Sequence, residues 1–537
     1  MATDDAGLRE DPRESLVGVV GAGTMGAGIA QVAAQAGHRV ALFDAMEGAA
    51  ERAVAGLAAR FDSLAAKGKL TVEDAEGAKA RLTVADGVEA FQDAVLVVEA
   101  IVEDLAVKQK LFADLETHVG VGCTLATNTS SISISAIAGA LKDPTRLVGM
   151  HFFNPAPLMP LVEIVSGLAT EPAEADAVES YARAWGKTTV RCKSTPGFIV
   201  NRVARPFYAE ALQAHEEGAA DFATIDAVVR ESGGFKMGPF ELMDMIGLDV
   251  NLAVSTSVWE ATGYDPRYAP AWTQKEHVAA GRLGRKSGRG FHDYAEGAVK
   301  PEPAYEAPQP ERDLAVKSKL LTLNRLLDSG SDGAAILPGG TLLARSWGRT
   351  ATSYGDGRIL VDLALDIKAA KTIALAPAQD ARPEAVAEAI AFIQAHDKQV
   401  VLVEDVPGMI TTRIVARLVN EAADAVYRDD ADEDDIDTAM RLGVNYPRGP
   451  LEWGADLGFA WVCDTLDHLE DTYRDGRYRA SPLLRTLAQA DRLMHRPLGD
   501  RATREDIDHY LQEHPEAVSF RRATVTTTRT DSTEDKK

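Results

Sequence analysis

The apolar run Leu16–Val20 leads directly into Gly21-Ala22-Gly23-Thr24-Met25-Gly26, and the chain then reads as a helix over 25–36, stopped by Gly37. This strand–glycine loop–helix junction constrains the fold more than any other segment. Gly21 permits the tight turn, Gly23 lets the backbone approach a pyrophosphate, and Gly26 lets helix and strand pack closely. The helix start then offers unpaired N–H groups and the positive end of its dipole to phosphates. A second strand, Arg39–Phe43, ends on Asp44. A carboxylate there can accept from ribose hydroxyls and repels a 2′-phosphate, which favours NAD over NADP. The competing explanation is a glycine-rich turn in an unrelated α/β domain. Strand, helix and acid in register favour the dinucleotide.

The pattern continues as strands alternating with helices. A long helix follows through about Lys67; Ala94–Val98 is an apolar strand, 105–118 a helix, and Thr124–Ala126 a strand. Leu147–Phe152 and Leu161–Val165 flank a proline-containing turn. Such alternation predicts a parallel sheet covered on both faces. The fold class expected is an α/β Rossmann-type dinucleotide-binding domain plus two homologous all-α domains, with a small α/β segment between them. The boundaries read as a disordered leader over 1–13, the nucleotide domain over 14–193, and a first helical domain over 194–296. Four prolines within 300–312 mark a linker over 297–315. A small α/β segment spans 316–404, a second helical domain 405–515, and a polar tail 516–537.

Charge and composition exclude several classes. The 537 residues carry a formal net charge of -24, which disfavours nucleic acid and anionic membrane surfaces as partners. The leader has no apolar core and no apolar run reaches spanning length; the longest, Ala94–Val102, is interrupted by Glu99. Cys123, Cys192 and Cys463 are far apart and form no CxxC pair. No metal site is therefore expected, and a reducing cytoplasm suits the chain.

Three further clusters carry candidate chemistry. Asn128-Thr129-Ser130-Ser131 follows a strand, where hydroxyls face the ligand crevice of a parallel sheet; alternatively Ser131 or Ser133 simply caps the next helix. Met150-His151-Phe152-Phe153-Asn154-Pro155 precedes Leu161-Val162-Glu163-Ile164-Val165. A carboxylate inside an apolar strand costs free energy unless paired. An imidazole partner removes that cost and makes His151 a candidate general base. The alternative is a core histidine held by a backbone carbonyl, with Glu163 in solvent. Finally, Pro196-Gly197-Phe198-Ile199-Val200-Asn201-Arg202 opens the helical region. Asn201 is either a substrate amide contact or an ordinary polar helix position.

The second half repeats the first. Pro196, Gly197, Ile199, Arg202, Glu210, Ala211, Ile225, Asp226, Gly238, Pro239, Glu241 and Gly247 recur without gaps as Pro407, Gly408, Ile410, Arg413, Glu421, Ala422, Ile436, Asp437, Gly449, Pro450, Glu452 and Gly458. The constant offset is 211 residues, as 407 − 196 shows. Asn201 maps onto Thr412, and nothing like NTSS or HFFNP precedes the second copy. The second copy is therefore expected to be structural and to pack on the first as an internal pseudo-dimer. The segment 316–404 lacks a GxGxxG loop and reads as a decayed nucleotide-binding domain.

Taken in order, GAGTMG, Asp44, VVEAIVEDLAVKQKLF, NTSS, HFFNP, LVEIV, TPGFIVNR, MGPFELMDMIGLD and GRKSGRGF resemble the L-3-hydroxyacyl-coenzyme A dehydrogenase family. The likeness covers about 14–296, with a second C-terminal domain over about 405–515. Members of the 3-hydroxybutyryl- and 3-hydroxyadipyl-CoA type with a duplicated helical domain are most similar in layout. The resemblance implies NAD-dependent oxidation of a 3-hydroxyacyl-CoA, with His151 as base, Glu163 as its partner, and Ser130 and Asn201 orienting substrate. It implies that Met25, Asp44, Ile101, Val102, Glu103, Lys108, Ser130, Asn154 and Lys286 line the cofactor. Coenzyme A contacts do not carry over; within Phe61–Leu70, Lys67 and Lys69 are the candidate phosphate contacts. The partner implied is a small-molecule thioester, with homo-oligomer formation compatible with the family. Two competing functions are a dehydrogenase of another 3-hydroxy acid, such as a sugar acid, and a non-catalytic NAD-binding protein.

Overall fold

The computed structural model describes residues 15–309 and 335–494, together with 509 and 512. The expected leader and tail lie outside the described residues, as does part of the linker. The chain forms two compact units. One comprises the residues up to Arg202 together with Asp429–Val444. The other comprises Val203–Arg428 and the residues from Asn445 onward.

The first unit is built on an eight-stranded sheet: β1 (Leu16–Val20), β2 (Arg39–Phe43), β3 (Leu82–Val84), β4 (Ala94–Glu99), β5 (Thr124–Thr127), β6 (Leu147–Phe152), β7 (Leu161–Ser166) and β8 (Thr188–Lys193). The order is β3-β2-β1-β4-β5-β6-β7-β8. Six strands run parallel; β7 then pairs antiparallel with β6, and β8 runs parallel to β7. The expected parallel sheet is present over β1–β6, and β7 departs from it. The connection 153–160 is too short for a crossover, so the chain must reverse. The strands are apolar because helices cover both faces, and Val17, Val19, Leu42, Leu96 and Val98 are fully buried.

Local signals place the covering helices. Asp104 accepts from Val107 N and starts helix Leu105–His118, and Thr71 starts Val72–Ala80 in the same way. Helix Glu433–Gly443 belongs to this unit although its sequence groups it with 405–515. It packs on β7 and β8, and Arg191 N donates to Asp435 at 2.8 Å. Gly443 permits the fit, since a Cβ there would lie 2.9 Å from Leu161 and from Val200.

The second unit contains the remainder of both helical copies and a five-stranded sheet: β9 (Ala335–Ile336), β10 (Leu342–Arg345), β11 (Ile359–Val361), β12 (Thr372–Pro377) and β13 (Gln399–Leu402). Its order is β13-β12-β11-β10-β9. Helix Pro383–Gln394 packs on it through Ala389, Phe392 and Ile393. The two helical copies meet where Arg205–Glu216 packs on Thr411–Tyr427. At their centre, Arg413 Nε and Arg417 Nε donate to Glu210 at 3.0 and 3.2 Å. All three side chains are fully buried.

Candidate active site

Parallel strands β1, β2, β4, β5 and β6 end on one edge of the first sheet, and their carboxyl-terminal loops carry most of the sequence-selected residues. The strand order reverses direction between β1 and β4, the usual place for a ligand crevice. Gly21 has φ 104°, and a Cβ there would sit 2.4 Å from Ala100 O in the loop after β4. A Cβ on Gly26 would lie 1.8 Å from Gly21 O. Gly23, by contrast, faces open space, with no atom within 4 Å of a notional Cβ. The loop therefore needs glycine at two positions for packing, and leaves a bare backbone at the third where a phosphate can approach. Asp44 is half-buried; Oδ2 accepts Ala22 N at 2.7 Å and Oδ1 accepts Met46 N at 2.8 Å. These bonds leave further lone pairs on the carboxylate for ribose hydroxyls. A cavity of about 360 Å³ opens beside this loop, lined among others by Gly23, Gly28, Gln31, Arg60 and Pro157. The residues present thus fit a dinucleotide. Phe61 is buried in the core, while Lys67 and Lys69 are exposed.

A buried polar chain braces the next loops. Glu99, fully buried at the end of β4, accepts Ile101 N at 2.7 Å and Lys108 Nζ at 2.6 Å on Oε1, and Thr127 Oγ1 at 2.6 Å on Oε2. Lys108 is 1% exposed and also faces Glu103 at 3.3 Å. It therefore bears on the crevice through Glu103. Glu103 Oε1 in turn accepts Thr129 Oγ1, Ser130 N, Ser131 N and Ser131 Oγ at 2.6 to 3.1 Å. Burial works to raise the Glu103 pKa, but these donors and Lys108 hold its carboxyl below the ordinary value. Ser133 is the residue that caps helix Ile134–Ala138, and half-buried Ser130 has its hydroxyl 3.5 Å from Glu103 Oε1. Met25 and Ile101 are half-buried, whereas Val102 is 64% exposed and Asn154 is exposed.

The third group forms on β6 and β7, whose register places His151 opposite Glu163. His151 Nδ1 lies 2.6 Å from Glu163 Oε2. Glu163 is fully buried and His151 nearly so. The other carboxylate oxygen accepts Val200 N at 2.9 Å and Ile199 N at 3.2 Å. Phe153 and Phe198 flank the imidazole, with ring centres 4.7 and 5.7 Å away. Asn128 Oδ1 accepts Phe152 N at 2.8 Å and fixes the end of β6. Asn201 Nδ2 reaches Ser130 O at 3.4 Å, so the amide and the serine loop are neighbours. Lys286 lies in the second unit and pairs with Asp249 at 2.5 Å.

Glu99 escapes the sequence reading as a site residue, and Asn128, Phe153 and Phe198 enter it only inside motifs, with no role of their own. Only Glu99 carries a usable signal, an acid breaking the apolar run Ala94–Val102; the argument applied to Glu163 applies equally to it. Among the described residues there is no cluster of acids, histidines or cysteines that could hold a metal. No helix among them is long and apolar enough to cross a membrane.

A glycine loop at a sheet switch point, an acid after β2 and an imidazole–carboxylate pair on the same unit define the class as a nicotinamide-dependent oxidoreductase. Comparison with known proteins narrows this. Residues 16–195 match the family model of the 3-hydroxyacyl-CoA dehydrogenase NAD binding domain. Residues 197–294 and 408–504 both match the C-terminal domain of that family. Residues 343–407 match the 3-hydroxybutyryl-CoA dehydrogenase reduced Rossmann-fold domain. The chain is 44% identical to the 3-hydroxyadipyl-CoA dehydrogenase of Escherichia coli K12, over 88% of this chain and 97% of that one. It is 40% identical to a 3-hydroxybutyryl-CoA dehydrogenase of Mycobacterium tuberculosis, over 52% of this chain and 98% of the other. A crystal structure of 3-hydroxybutyryl-CoA dehydrogenase from E. coli K12 superposes with a TM-score of 0.83 at 43% identity, covering 89% of this chain and 98% of that one. The chain belongs to the 3-hydroxyacyl-CoA dehydrogenase family. It is an NAD-dependent oxidoreductase acting on 3-hydroxyacyl-CoA.

Proposed function

We propose that this chain oxidises (S)-3-hydroxyacyl-CoA to 3-oxoacyl-CoA in the breakdown of fatty acids or of aromatic acids by a phenylacetate-type route, with His151 as the proton acceptor. The observation that carries the mechanism is the 2.6 Å contact between His151 Nδ1 and a fully buried Glu163. With Glu163 ionised, Nδ1 donates and Nε2 is left with a lone pair. The substrate hydroxyl gives its proton to Nε2 while the C3–H bond breaks and C3–O becomes a carbonyl. NAD supplies the hydride acceptor. Glu163 then stabilises the imidazolium, and Ser130 with Asn201 orients the acyl oxygens. Met25, Asp44, Ile101, Val102, Glu103 and Asn154 are assigned to the cofactor, with Lys108 bearing on it through Glu103. The aromatic rings of Phe153 and Phe198 keep water from the imidazole. Arg60, beside the glycine loop, supplies local positive charge for anionic ligands in a chain of net charge -24.

NADH formation with 3-hydroxybutyryl-, 3-hydroxyhexanoyl- and 3-hydroxyadipyl-CoA tests the reading. We expect turnover of the thioesters, and kcat/KM lower by at least about 100-fold for the free 3-hydroxy acids, which forfeit the binding energy of the coenzyme arm. Oxidation of free acids in preference to thioesters contradicts it. Asp44→Ala is expected to raise KM for NAD about tenfold, the worth of one charge-assisted hydrogen bond, and to narrow the preference over NADP. Initial rates with each cofactor decide this; an unchanged preference removes Asp44 from the ribose site.

A further inference from the structure

The 211-residue repeat continues upstream of the helical domains. It carries β7 (Leu161–Ser166) onto β12 (Thr372–Pro377), His151 onto Asp362 and Glu163 onto Ala374. The pairing registers correspond as well: His151 faces Glu163 across β6 and β7, and Asp362 N donates to Ala374 O at 3.0 Å beside β11 and β12. The turn entering the helical domain is also repeated. Gly197 and Phe198 have φ 79° and 50°; Gly408 and Met409 have 72° and 49°. A left-handed conformation at Phe198 and Met409 is costly and persists only where the surroundings enforce it.

In both copies a buried carboxylate collects the N–H groups that this turn presents. In the first, Glu163 takes those of Ile199 and Val200. In the second, Asp362 takes those of Ile410, Thr411 and Thr412 at 3.2, 2.7 and 3.0 Å. Those residues are the counterparts of Ile199, Val200 and Asn201. Thr412 Oγ1 also donates to Asp362, at 2.8 Å. What is constant is an anion beneath the turn. What differs is the strand it stands on. Only the first copy places the anion on the neighbouring strand, which leaves the other strand free for an imidazole.

We infer that Glu163 is the positioning residue for Asn201 as well as the partner of His151. One oxygen orients the base, and the other fixes the turn that delivers the substrate-orienting amide. Asp362 performs the turn-fixing half of that work alone, from the base's own position, so the second copy keeps the architecture and has no proton acceptor. This rests on the roles assigned to His151 and Asn201 under Proposed function.

The test compares two double variants of the full chain that both lack the imidazole: His151→Asp/Glu163→Ala, which copies the second half, and His151→Ala/Glu163→Ala. Calorimetric binding of 3-oxobutyryl-CoA in the presence of NADH is the readout. The variant with the aspartate is expected to bind about tenfold more tightly, the worth of the recovered hydrogen bonds to a charged acceptor. Equal affinities overturn the inference. Glu163→Gln provides an independent measurement, since the amide oxygen can still accept from the turn while its NH₂ faces Nδ1. Its KM for the thioester should stay within about threefold of wild type while kcat falls about 100-fold or more. A KM that rises in step with the loss of kcat overturns the inference. Asp362→Asn should lower the melting temperature and leave kcat unchanged; a change in kcat at unchanged stability also overturns it. A wild-type chain inert toward 3-hydroxybutyryl-CoA would instead count against the function proposed above.

Discussion

His151→Ala lowers kcat by about three orders of magnitude and leaves the dissociation constant for NADH within about twofold of wild type. The first figure is the usual worth of a positioned general base. The second follows from the layout: the glycine loop and Asp44 stand on β1 and β2, and the imidazole stands on β6, with two strands between β1 and β6. The imidazole is hydrogen-bonded to Glu163 on β7, on the side of β6 away from the loop. Steady-state rates with a saturating thioester, and NADH fluorescence titration of the same preparation, separate the two quantities. Wild-type turnover in this variant assigns the proton to another group. A parallel loss of NADH affinity makes His151 part of the cofactor site.

Glu210→Ala costs about 3–5 kcal/mol of stability, because it leaves two buried guanidinium groups without their shared carboxylate. Arg413 and Arg417 are fully buried with Glu210 between them, and Tyr478 OH donates to the same carboxylate at 2.8 Å. Glu217 retains a contact with Arg413 at 2.7 Å, whereas Arg417 is left with the backbone carbonyls of Arg477 and Arg267. Glu210 lies in the first helical copy and both arginines in the second, so the loss falls where the copies pack on each other. Urea unfolding of the full chain measures it; a shift below about 1 kcal/mol shows that the network is dispensable.

The same site sets an acid limit. Burial pushes the Glu210 carboxyl up, but Arg413, Arg417 and Arg477 hold it below the ordinary glutamate value. A depressed folded-state pKa contributes stability that is present above the unfolded glutamate value of about 4.3 and is lost as pH falls through the folded value. The wild-type advantage over Glu210→Ala should therefore shrink in that acid window.

The residues that make the first sheet were legible because buried parallel strands are nearly pure apolar runs. Leu16–Val20, Arg39–Phe43 and Leu147–Phe152 were read at the bounds the structure shows. Leu82–Val84 was not, since three residues give no period; Thr188–Lys193 was passed over although its partial polar–apolar alternation is the ordinary mark of a half-buried strand. Of the site, the sequence supplied the side chains and not their second contacts. It suggested that Glu163 needs a cation or a donor; the backbone N–H groups of Ile199 and Val200 could not be foreseen, because the left-handed turn at Phe198 aims them. Glu99 was visible only as an interruption. Helix Glu433–Gly443 was assigned by linear order to the second helical domain, whereas its Gly443 and Asp435 bind it to β7 and β8. A repeat in sequence reports ancestry, and contacts need not respect it.

The most direct measurement is a crystal structure of the complex with NAD and 3-oxobutyryl-CoA. Nε2 of His151 should stand within hydrogen-bond distance of the 3-oxygen while Nδ1 stays on Glu163. A ternary complex in which that oxygen meets a different proton carrier, with the imidazole directed elsewhere, would contradict the account.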